Sequence, residues 1–579
     1  MIKKYSDDKA TQIVIALLKS HGIKKVVASP GTTNVALVAG FQIDNWFEVY
    51  SCVDERSAAY MACGLSVESG EPVVITCTGA TASRNYYPGI TEAFYRKLPI
   101  LAITGFQSGE AKGHLYAQSL DRRVQPLDTF KMSVEVGKIA DEQDEWKAIV
   151  DINAAILELK HKGGGPVHIN LREATYGSFT TEVLPSIRII KRYSINDNLP
   201  AFPAKRTAVF IGAHKKFSTD EIRAIDFFCE KYNAVVLTDH TGGYNGKFKV
   251  MYALPASQAN IHQKLKVDLL IHLGEVSGDY YTLGKIQSGE TWRINEDGVL
   301  RDKFKNLSAV FEMSELCFFT YYNNLRLENT DNNSIYQETL IAYQTLYENF
   351  PNVPFSNIWV AMKIHDKLPK NSVLHLGILN SLRAWNLFAT DNSIETNCNV
   401  GGFGIDGVMS TLIGASLVDK SRLHFAVLGD LAFFYDLNSL GNRHVGNNLR
   451  ILLINNGRGT EFRNYDHPAS KWGNDADLFF AAGGHFGNQS TSLVKDYANN
   501  LGFKYLTAST KEEFLNKVNE FLIETPQQKS IVFEVFTNSD DESSALKQVR
   551  TIMDDDRCYA EKVVLFSKNM AKKVIKRIR

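Results

Sequence analysis

Residues 422–457 read RLHFAVLGDLAFFYDLNSLGNRHVGNNLRILLINNG, and this stretch decides the fold class. Two strand-like, mainly apolar segments, RLHFAVL and LRILLI, are separated by a segment long enough for one helix, which is the spacing of a strand–helix–strand unit. Strands that lack alternating polar positions are buried on both faces, and such strands form parallel sheets covered by helices. The stretch therefore predicts a doubly wound α/β domain.

The same pattern occurs in two earlier parts of the chain. The first contains PVVITCTG and LPILAITG, and the second contains RTAVFIGAH, NAVVLTDH and VDLLIHLGE. A proline-punctuated stretch at 185–203 and an Asn-rich stretch at 323–333 separate the three blocks. We predict an α/β protein of three doubly wound parallel-sheet domains with a helical C-terminal tail, bounded at 1–190, 191–345, 346–545 and 546–579.

The composition narrows the class of protein. The chain has 64 Lys and Arg against 64 Asp and Glu, and 44% of its residues are hydrophobic. A dedicated nucleic-acid binder would carry a basic excess and a disordered chain would have fewer apolar residues, so neither is expected. The seven cysteines are scattered without a C-x-x-C pair, which favours reduced, buried thiols over a disulfide frame or zinc site. No signal peptide or stretch of 18 apolar residues is apparent, so we expect a cytoplasmic protein.

Two polar positions follow the strands of the opening stretch. Asp430 comes directly after RLHFAVLG, and Asn456 follows LRILLIN 26 positions later. Consecutive parallel strands present their carboxyl ends at one sheet edge, where open α/β sheets bind ligands. A carboxylate and an amide oxygen, completed by a backbone carbonyl and two diphosphate oxygens, suit Mg²⁺, and the N–H groups after Asp430 would meet the diphosphate. The alternative is a helix-capping Asp and a turn-forming Asn-Asn-Gly.

A second motif favours a different cofactor. Gly402, Gly404 and Gly407 match G-x-G-x-x-G ahead of a helical segment, and Asp430 lies 23 positions beyond Gly407, which together fit a nicotinamide or flavin dinucleotide site. The preceding SIETNCNV is a poor buried strand, however, and a ribose-binding acid would leave the Asn-Asn-Gly turn unexplained. The dinucleotide oxidoreductase stays open as an alternative.

The paired motifs resemble those of a known superfamily. Gly429-Asp430 followed by Asn455-Asn456 is similar to the metal and diphosphate motif of the thiamine diphosphate (ThDP) enzymes of the decarboxylase and acetohydroxyacid synthase type. Ser51 to Arg56 resembles the segment that holds the cofactor-activating glutamate of that superfamily. The likeness covers nearly the whole chain, and implies pyrimidine-binding, middle and diphosphate-binding domains in this order.

The resemblance also implies roles for individual residues. Glu55 would activate the cofactor by sharing a proton with its pyrimidine ring, and His114 and Gln118 would face the substrate. Mg²⁺ would be held by Asp430, Asn456 and the backbone carbonyl of Arg458. Ile405 would keep the cofactor bent. The remaining cofactor-binding residues would be Ser29, Pro30, Gly31, Thr78, Gly79, Gly402, Gly404, Gly429, Leu431 and Ala432.

Within the superfamily the likeness is strongest to the 2-succinyl-5-enolpyruvyl-6-hydroxy-3-cyclohexene-1-carboxylate (SEPHCHC) synthases of menaquinone biosynthesis. Asn380-Ser381-Leu382 and Gly404 to Gly407 resemble their signatures. Two positions depart from that family: Thr33 stands in the turn Pro-Gly-Thr-Thr-Asn where it has Pro-Gly-Ser-Arg-Ser, and Val400 stands in Asn-Val-Gly where it has Asn-Arg-Gly. We therefore expect a donor less acidic than 2-oxoglutarate, such as pyruvate.

The expected activity is decarboxylation of a 2-oxoacid, with transfer of the acyl-anion equivalent to a carbonyl or enone acceptor. Arg383 and Arg463 are candidates for binding a substrate carboxylate. A simple decarboxylase, an acetolactate-synthase-like enzyme and a non-catalytic regulatory relative remain alternatives. We expect a homodimer or dimer of dimers with no nucleic-acid partner. The basic segment 562–579 is interpreted as a solvated or packing helix, and membrane contact is the less favoured alternative.

Overall fold

The computed structural model describes residues 4–106, 112–121, 124–172, 178–203, 206–259, 263–326, 334–485 and 490–553. The chain divides into two compact units. The first comprises Met1–Leu199 and Glu296–Glu312, and the second comprises Pro200–Asn295 and Met313–Arg579. The basic helix expected at 562–579 lies outside the described residues.

The first unit contains a six-stranded sheet in the order β2-β1-β3-β4-β6-β5, and all its strand pairs are parallel. Its strands are β1 (Lys25–Ala28), β2 (Glu48–Ser51), β3 (Val73–Cys77), β4 (Ile100–Phe106), β5 (Met132–Val136) and β6 (Val167–Arg172). A further parallel pair joins β7 (Lys191–Ser194) and β13 (Leu307–Glu312). The helices are α1 (Lys9–Ser20), α2 (Val35–Ile43), α3 (Glu55–Ser69), α4 (Ala80–Asn85), α5 (Tyr87–Tyr95) and α6 (Glu142–Glu158).

Sequence signals account for the local structure of this unit. Asp8 caps α1 by accepting a hydrogen bond from the Thr11 N–H at 2.8 Å, and Asp54 caps α3 by accepting from the Ser57 N–H at 2.9 Å. Every residue of β3 and β4 is buried. These two strands therefore carry helices on both faces, as continuous apolar runs predict.

The second unit begins with five parallel strands in the order β10-β9-β8-β11-β12. They are β8 (Thr207–Ile211), β9 (Val235–Thr238), β10 (Lys249–Val250), β11 (Leu265–Leu273) and β12 (Ile286–Ile294). The helices of this part are α7 (Thr219–Lys231), α8 (Ala253–Ser257), α9 (Tyr280–Lys285), α10 (Glu315–Asn324) and α11 (Ile335–Glu348).

A six-stranded parallel sheet completes the second unit, in the order β15-β14-β16-β17-β19-β18. Its strands are β14 (Val373–Leu376), β15 (Glu395–Cys398), β16 (His424–Gly429), β17 (Leu449–Asn455), β18 (Lys504–Ala508) and β19 (Ile531–Phe536). Its helices are α12 (Asn357–Ile364), α13 (Asn380–Trp385), α14 (Val408–Ser416), α15 (Asp430–Tyr435), α16 (Ala476–Phe479), α17 (Leu493–Asn500), α18 (Lys511–Phe521) and α19 (Ser539–Arg550).

The predicted fold class is confirmed, because the chain forms three parallel sheets with interleaved helices. The domain bounds at 190, 345 and 545 stay a prediction. SIETNCNV does contain a strand, β15, but it lies at the sheet edge and none of its residues is fully buried, which explains its poor apolar pattern. None of the helices described is both long and apolar enough to cross a lipid bilayer.

Candidate functional site

Asp430 lies at the carboxyl edge of the third sheet, as the first residue of α15 directly after β16. β16 and β17 are neighbours whose register pairs Gly429 with Ile454, so their polar extensions leave the sheet side by side. The Asp430 side chain is buried, and burial is the main reason that its pKa is raised to about 7. Backbone N–H groups oppose this rise by stabilising the carboxylate.

Hydrogen bonds join the two predicted motifs directly. The Asp430 carboxylate accepts from the backbone N–H groups of Gly457 and Arg458, which follow β17. Asn455 has a structural task, because its Nδ2 donates to Glu534 Oε1 at 2.7 Å and its Oδ1 accepts from the Gly457 N–H at 3.2 Å. Asn456 differs: its Oδ1 is buried and has no hydrogen-bond partner among the described residues.

The side chains of Asp430 and Asn456 both line a cavity of ≈ 120 Å³. Of the residues predicted from the sequence, it is lined by Ile405, Gly429, Asp430, Leu431, Ala432, Asn456 and Arg458. A buried carboxylate and an unpartnered amide oxygen at one cavity form a hard-oxygen pair that fits Mg²⁺, and a diphosphate would supply further oxygens. The donor set therefore fits the metal and the diphosphate half of ThDP.

Residues not singled out by the sequence complete the cavity. Glu542, on α19, is buried, and burial raises the pKa of its carboxyl to about 7. It accepts from the Asn357 N–H at 3.0 Å and from Thr537 Oγ1 at 2.8 Å. Glu461 also lines the cavity. No sequence signal marks these two acids, because their neighbours in the fold are far away in the chain.

The G-x-G-x-x-G segment contributes unequally. Ile405 lines the cavity and packs against two apolar clusters, and its role in supporting the cofactor stays a prediction. Gly402 and Gly404 are absent from the cavity lining, and Gly402 is exposed. A Cβ on Gly404 would approach only Asp406 Oδ1, to 2.5 Å, at the end of a side chain that can move aside.

The two candidate arginines are already engaged by acids. Arg383 forms a two-pronged ion pair with Glu461, with both N···O distances 2.8 Å, and also donates to Asn380 Oδ1. Arg463 lies 3.6 Å from an Asp477 carboxylate oxygen and 3.9 Å from one of Asp540. A substrate carboxylate would have to compete with these partners.

The first unit brings another set of predicted residues together. The turn after β1 packs on the end of β3 so closely that a Cβ on Gly31 would lie 2.8 Å from Thr78 Cβ. Thr33 Oγ1 and Thr78 Oγ1 share a hydrogen bond of 2.5 Å, and Thr33 Oγ1 accepts from the Gly79 N–H at 3.3 Å. Asn34 Nδ2 closes the turn by donating to the Ser29 carbonyl at 3.0 Å. Pro30 lies exposed in the same turn.

Glu55 is the first residue of α3 and is partly buried. Its Oε2 accepts from Asn85 Nδ2 at 3.1 Å, which ties it to the end of α4. Glu55 thus lies at the start of a helix at the carboxyl edge of the first sheet, which is where ligand-binding residues of α/β sheets are expected. His114 and Gln118 are exposed on the segment 112–121.

The comparisons with known proteins agree on one family. Residues 8–125 match the model of the thiamine pyrophosphate enzyme N-terminal TPP binding domain. The 2-succinyl-5-enolpyruvyl-6-hydroxy-3-cyclohexene-1-carboxylate synthase of Phocaeicola vulgatus is 31% identical over 571 residues, covering 94% of this chain and 98% of its own. The synthases of the same name from Bacteroides fragilis and Flavobacterium johnsoniae are 30% and 27% identical, covering 94% and 93% of this chain and 98% and 97% of theirs.

Proposed function

This chain belongs to the SEPHCHC synthase family of ThDP-dependent enzymes, and from that membership we propose the reaction that it catalyses. The proposed enzyme uses ThDP and Mg²⁺ to decarboxylate a 2-oxoacid and transfers the acyl fragment to a carbonyl acceptor with formation of a C–C bond. When bound, ThDP supplies a carbon nucleophile and an electron sink that a protein side chain lacks.

The observation that carries the proposal is the meeting of Asp430 and Asn456 in one cavity. Asp430, Asn456 and the carbonyl of Arg458 would hold Mg²⁺, and the N–H groups after Gly429 would face the diphosphate. Ile405 would support the cofactor from the apolar side of the cavity. Glu55, at the start of α3, would hold a proton at the pyrimidine ring.

The class of the donor substrate is inferred from three positions that could bind a second carboxylate, none of which offers a free positive charge. Thr33 is neutral, and its hydroxyl oxygen is hydrogen-bonded to the Thr78 hydroxyl and to the Gly79 N–H. Val400 is 3% exposed within an apolar cluster, and Arg383 is neutralised by Glu461. Each missing charge-assisted contact to a carboxylate costs about 1.5 to 3 kcal/mol. We therefore propose a donor less acidic than 2-oxoglutarate, such as pyruvate.

The proposal is tested by titrating ThDP with Mg²⁺ into the protein by calorimetry, followed by CO₂ release from a panel of 2-oxoacids. We expect saturable ThDP binding in the wild type and its loss in Asp430→Ala, because the repelling diphosphate charges lose the ion that bridges them. Since the buried Asp430 carboxyl is held at a cost, the variant should unfold at no lower temperature than the apo wild type. Unchanged ThDP affinity in Asp430→Ala would contradict the assignment.

Product analysis separates the remaining possibilities. CO₂ and a free aldehyde without a ligation product would identify a simple decarboxylase, and acetolactate from pyruvate alone would identify an acetolactate-synthase-like enzyme. Efficient SEPHCHC formation from 2-oxoglutarate and isochorismate would overturn the proposed donor class. We expect CO₂ release from pyruvate to exceed release from 2-oxoglutarate by tenfold or more, since one lost ionic contact is worth about that factor.

A further inference from the structure

A second cavity, of ≈ 180 Å³, adjoins the proposed cofactor cavity within the second unit. Its walls are the start of α9 with the two residues before it, the end of α13, and residues between Glu461 and Pro468. Glu461 lines both cavities, so the two spaces share this side chain as a common wall. A molecule in the second cavity would therefore lie beside the proposed cofactor cavity.

Asn386 supplies the first specific feature of this cavity. The side chain is 2% exposed, and its Oδ1 accepts a hydrogen bond from the His240 N–H at 3.2 Å. Its Nδ2 is buried and has no partner within the described part of the chain. An unpaired buried donor costs about 1 to 3 kcal/mol. A ligand oxygen would satisfy this donor.

His467 offers a second donor. Its Nδ1 accepts a hydrogen bond from the Ala469 N–H at 3.1 Å. In the neutral ring the proton must then lie on Nε2, and the ring lines the cavity. Asn386 and His467 thus approach the space from two different elements, each as a hydrogen-bond donor.

The charged groups of this cavity are already paired. Glu461 is bound by Arg383 at 2.8 Å, Asp466 forms an ion pair with Arg550, and Asp279 accepts from the Thr282 N–H at 3.0 Å and its hydroxyl at 2.5 Å. The lining has three carboxylates and a single guanidinium group, that of Arg383, which Glu461 already binds, so an anionic ligand would meet repulsion and gain no free guanidinium group. The carboxylate oxygens still have lone pairs that can accept from ligand hydroxyl groups.

We propose that this cavity binds the acceptor substrate of the ligation, and that the acceptor is a neutral, polyhydroxylated aldehyde or ketone such as a sugar. The inference rests on the proposed function and adds the acceptor class to it. For an aldehyde the C1–C2 bond of the 2-oxoacid breaks, CO₂ leaves, and C2 bonds to the carbonyl carbon. One proton is taken up on the new hydroxyl: R–CO–COO⁻ + R′–CHO + H⁺ → R–CO–CH(OH)–R′ + CO₂.

The test measures binding to the full chain without ThDP, so that it does not depend on the proposed catalysis. Saturation-transfer NMR is recorded with D-glucose, D-ribose and D-glyceraldehyde, and with D-glucuronate as the charged match of glucose. Asn386→Asp removes the Nδ2 donor but keeps an acceptor for the His240 N–H, and His467→Ala removes the second donor. His444→Ala, at an exposed position, is the control variant.

We expect at least one neutral aldose to bind, and at least tenfold more tightly than glucuronate. Asn386→Asp and His467→Ala should each weaken that binding by tenfold or more, while His444→Ala leaves it unchanged and ThDP affinity is retained in all three. No aldose binding, preference for glucuronate, or binding unaffected by both substitutions would overturn the proposal. ThDP titration of the same samples reports separately on the proposed function.

Discussion

Among single residues, Glu55 is the side chain on which the proposed activation depends. Glu55→Gln keeps the shape and the hydrogen bond to Asn85, but an amide cannot share a proton with the pyrimidine ring. We expect unchanged folding, nearly unchanged ThDP affinity, and a decrease of at least about a hundredfold in the rate of hydrogen–deuterium exchange at the thiazolium carbon.

The control for this substitution lies on the same helix. Glu68→Gln changes an exposed carboxylate near the end of α3, and we expect it to leave both exchange and affinity unaltered. Exchange in Glu55→Gln at the wild-type rate would show that the activating acid is another group.

Asp430 makes a prediction about pH. Its carboxyl has a pKa of about 7 without the metal, and a protonated carboxyl is a poor ligand for Mg²⁺. Apparent Mg²⁺ affinity in the presence of ThDP should therefore fall about tenfold for each pH unit below about 7 and level off above it. Calorimetric titrations between about pH 5.5 and 8.5, a range that spans this pKa, would measure the apparent Mg²⁺ affinity. Titration of Mg²⁺ into ThDP without protein is the control.

The Asp430 carboxyl also predicts how the stability of the apo protein changes with pH. Because its pKa is raised on folding, its contribution to the stability of the apo protein is present below the ordinary Asp pKa and is lost as pH rises through about 7. In Asp430→Ala this pH-dependent loss of stability, measured by urea unfolding, should be absent.

For the Mg²⁺ titrations, an affinity that does not depend on pH between about 5.5 and 8.5 would show that the Asp430 carboxylate is not a ligand.

The sequence predicted some residues of the site and necessarily missed others. Asp430 and Asn456 were predictable because each directly follows a recognisable strand, and parallel strands end at one edge. Glu542 reaches the same cavity from α19, and its partner Asn357 lies 185 positions away in the chain. The ion pair of Arg383 with Glu461 spans 78 positions. Contacts of this kind depend on tertiary packing, which leaves no local pattern.

Between elements, the close packing of the β1 turn on β3 gives a sharper prediction. In Gly31→Ala the new Cβ would lie 2.8 Å from Thr78 Cβ, so the turn must move. The movement would disturb the Thr33–Thr78 hydrogen bond and the proposed pyrimidine-side residues. We expect a loss of about 1 to 3 kcal/mol in stability and weaker ThDP binding, measured by urea unfolding and calorimetry.

Gly64→Ala is the matched control in the same unit. Gly64 lies inside α3, and a Cβ at this position would have no neighbouring atom within 4 Å outside its own helix backbone. Alanine in a helix interior should stabilise the protein by about 0.5 to 1 kcal/mol. Equal effects of the two substitutions would mean that the β1 turn is free to shift.

The elements differ in how much of them the sequence could predict. β3, β4 and β17 are mainly apolar segments, and they form strands in which every residue is buried. β15 has no buried residue because it is an edge strand, so its polar sequence was a poor match to a buried strand. The pairing of β7 with β13, more than a hundred positions apart, has no sequence signal at all. Burial on both faces is what makes a strand recognisable from one sequence.

At the scale of the whole molecule, the three repeated α/β blocks predicted the three parallel sheets. The repeated pattern did not predict which residues belong to each compact unit, because residues 296–312 group with the first unit although they follow most of the second block. Apolar periodicity reports on the local sheet and carries no information about which distant segment completes it.

The assembly carries the last prediction. The resemblance to the ThDP superfamily implies that Glu55 of one subunit and the Asp430 region of another would form each cofactor site, so we propose that the active unit is a homodimer or a dimer of dimers. Glu55→Gln and Asp430→Ala should each be inactive as pure proteins. In a hybrid dimer one site carries both defects and the other carries neither.

Mixing the two inactive variants in equal amounts under conditions of subunit exchange should therefore restore about a quarter of wild-type activity, since about half of the dimers are hybrids and each has one intact site of two. The double variant Glu55→Gln/Asp430→Ala mixed with either single variant is the control and should restore none, because no pairing then contains both an intact Glu55 and an intact Asp430 at one site. Recovery should follow the rate of exchange measured by light scattering of differently sized fusions. Full activity in a strictly monomeric fraction, or no recovery despite complete exchange, would mean that each chain forms its site alone.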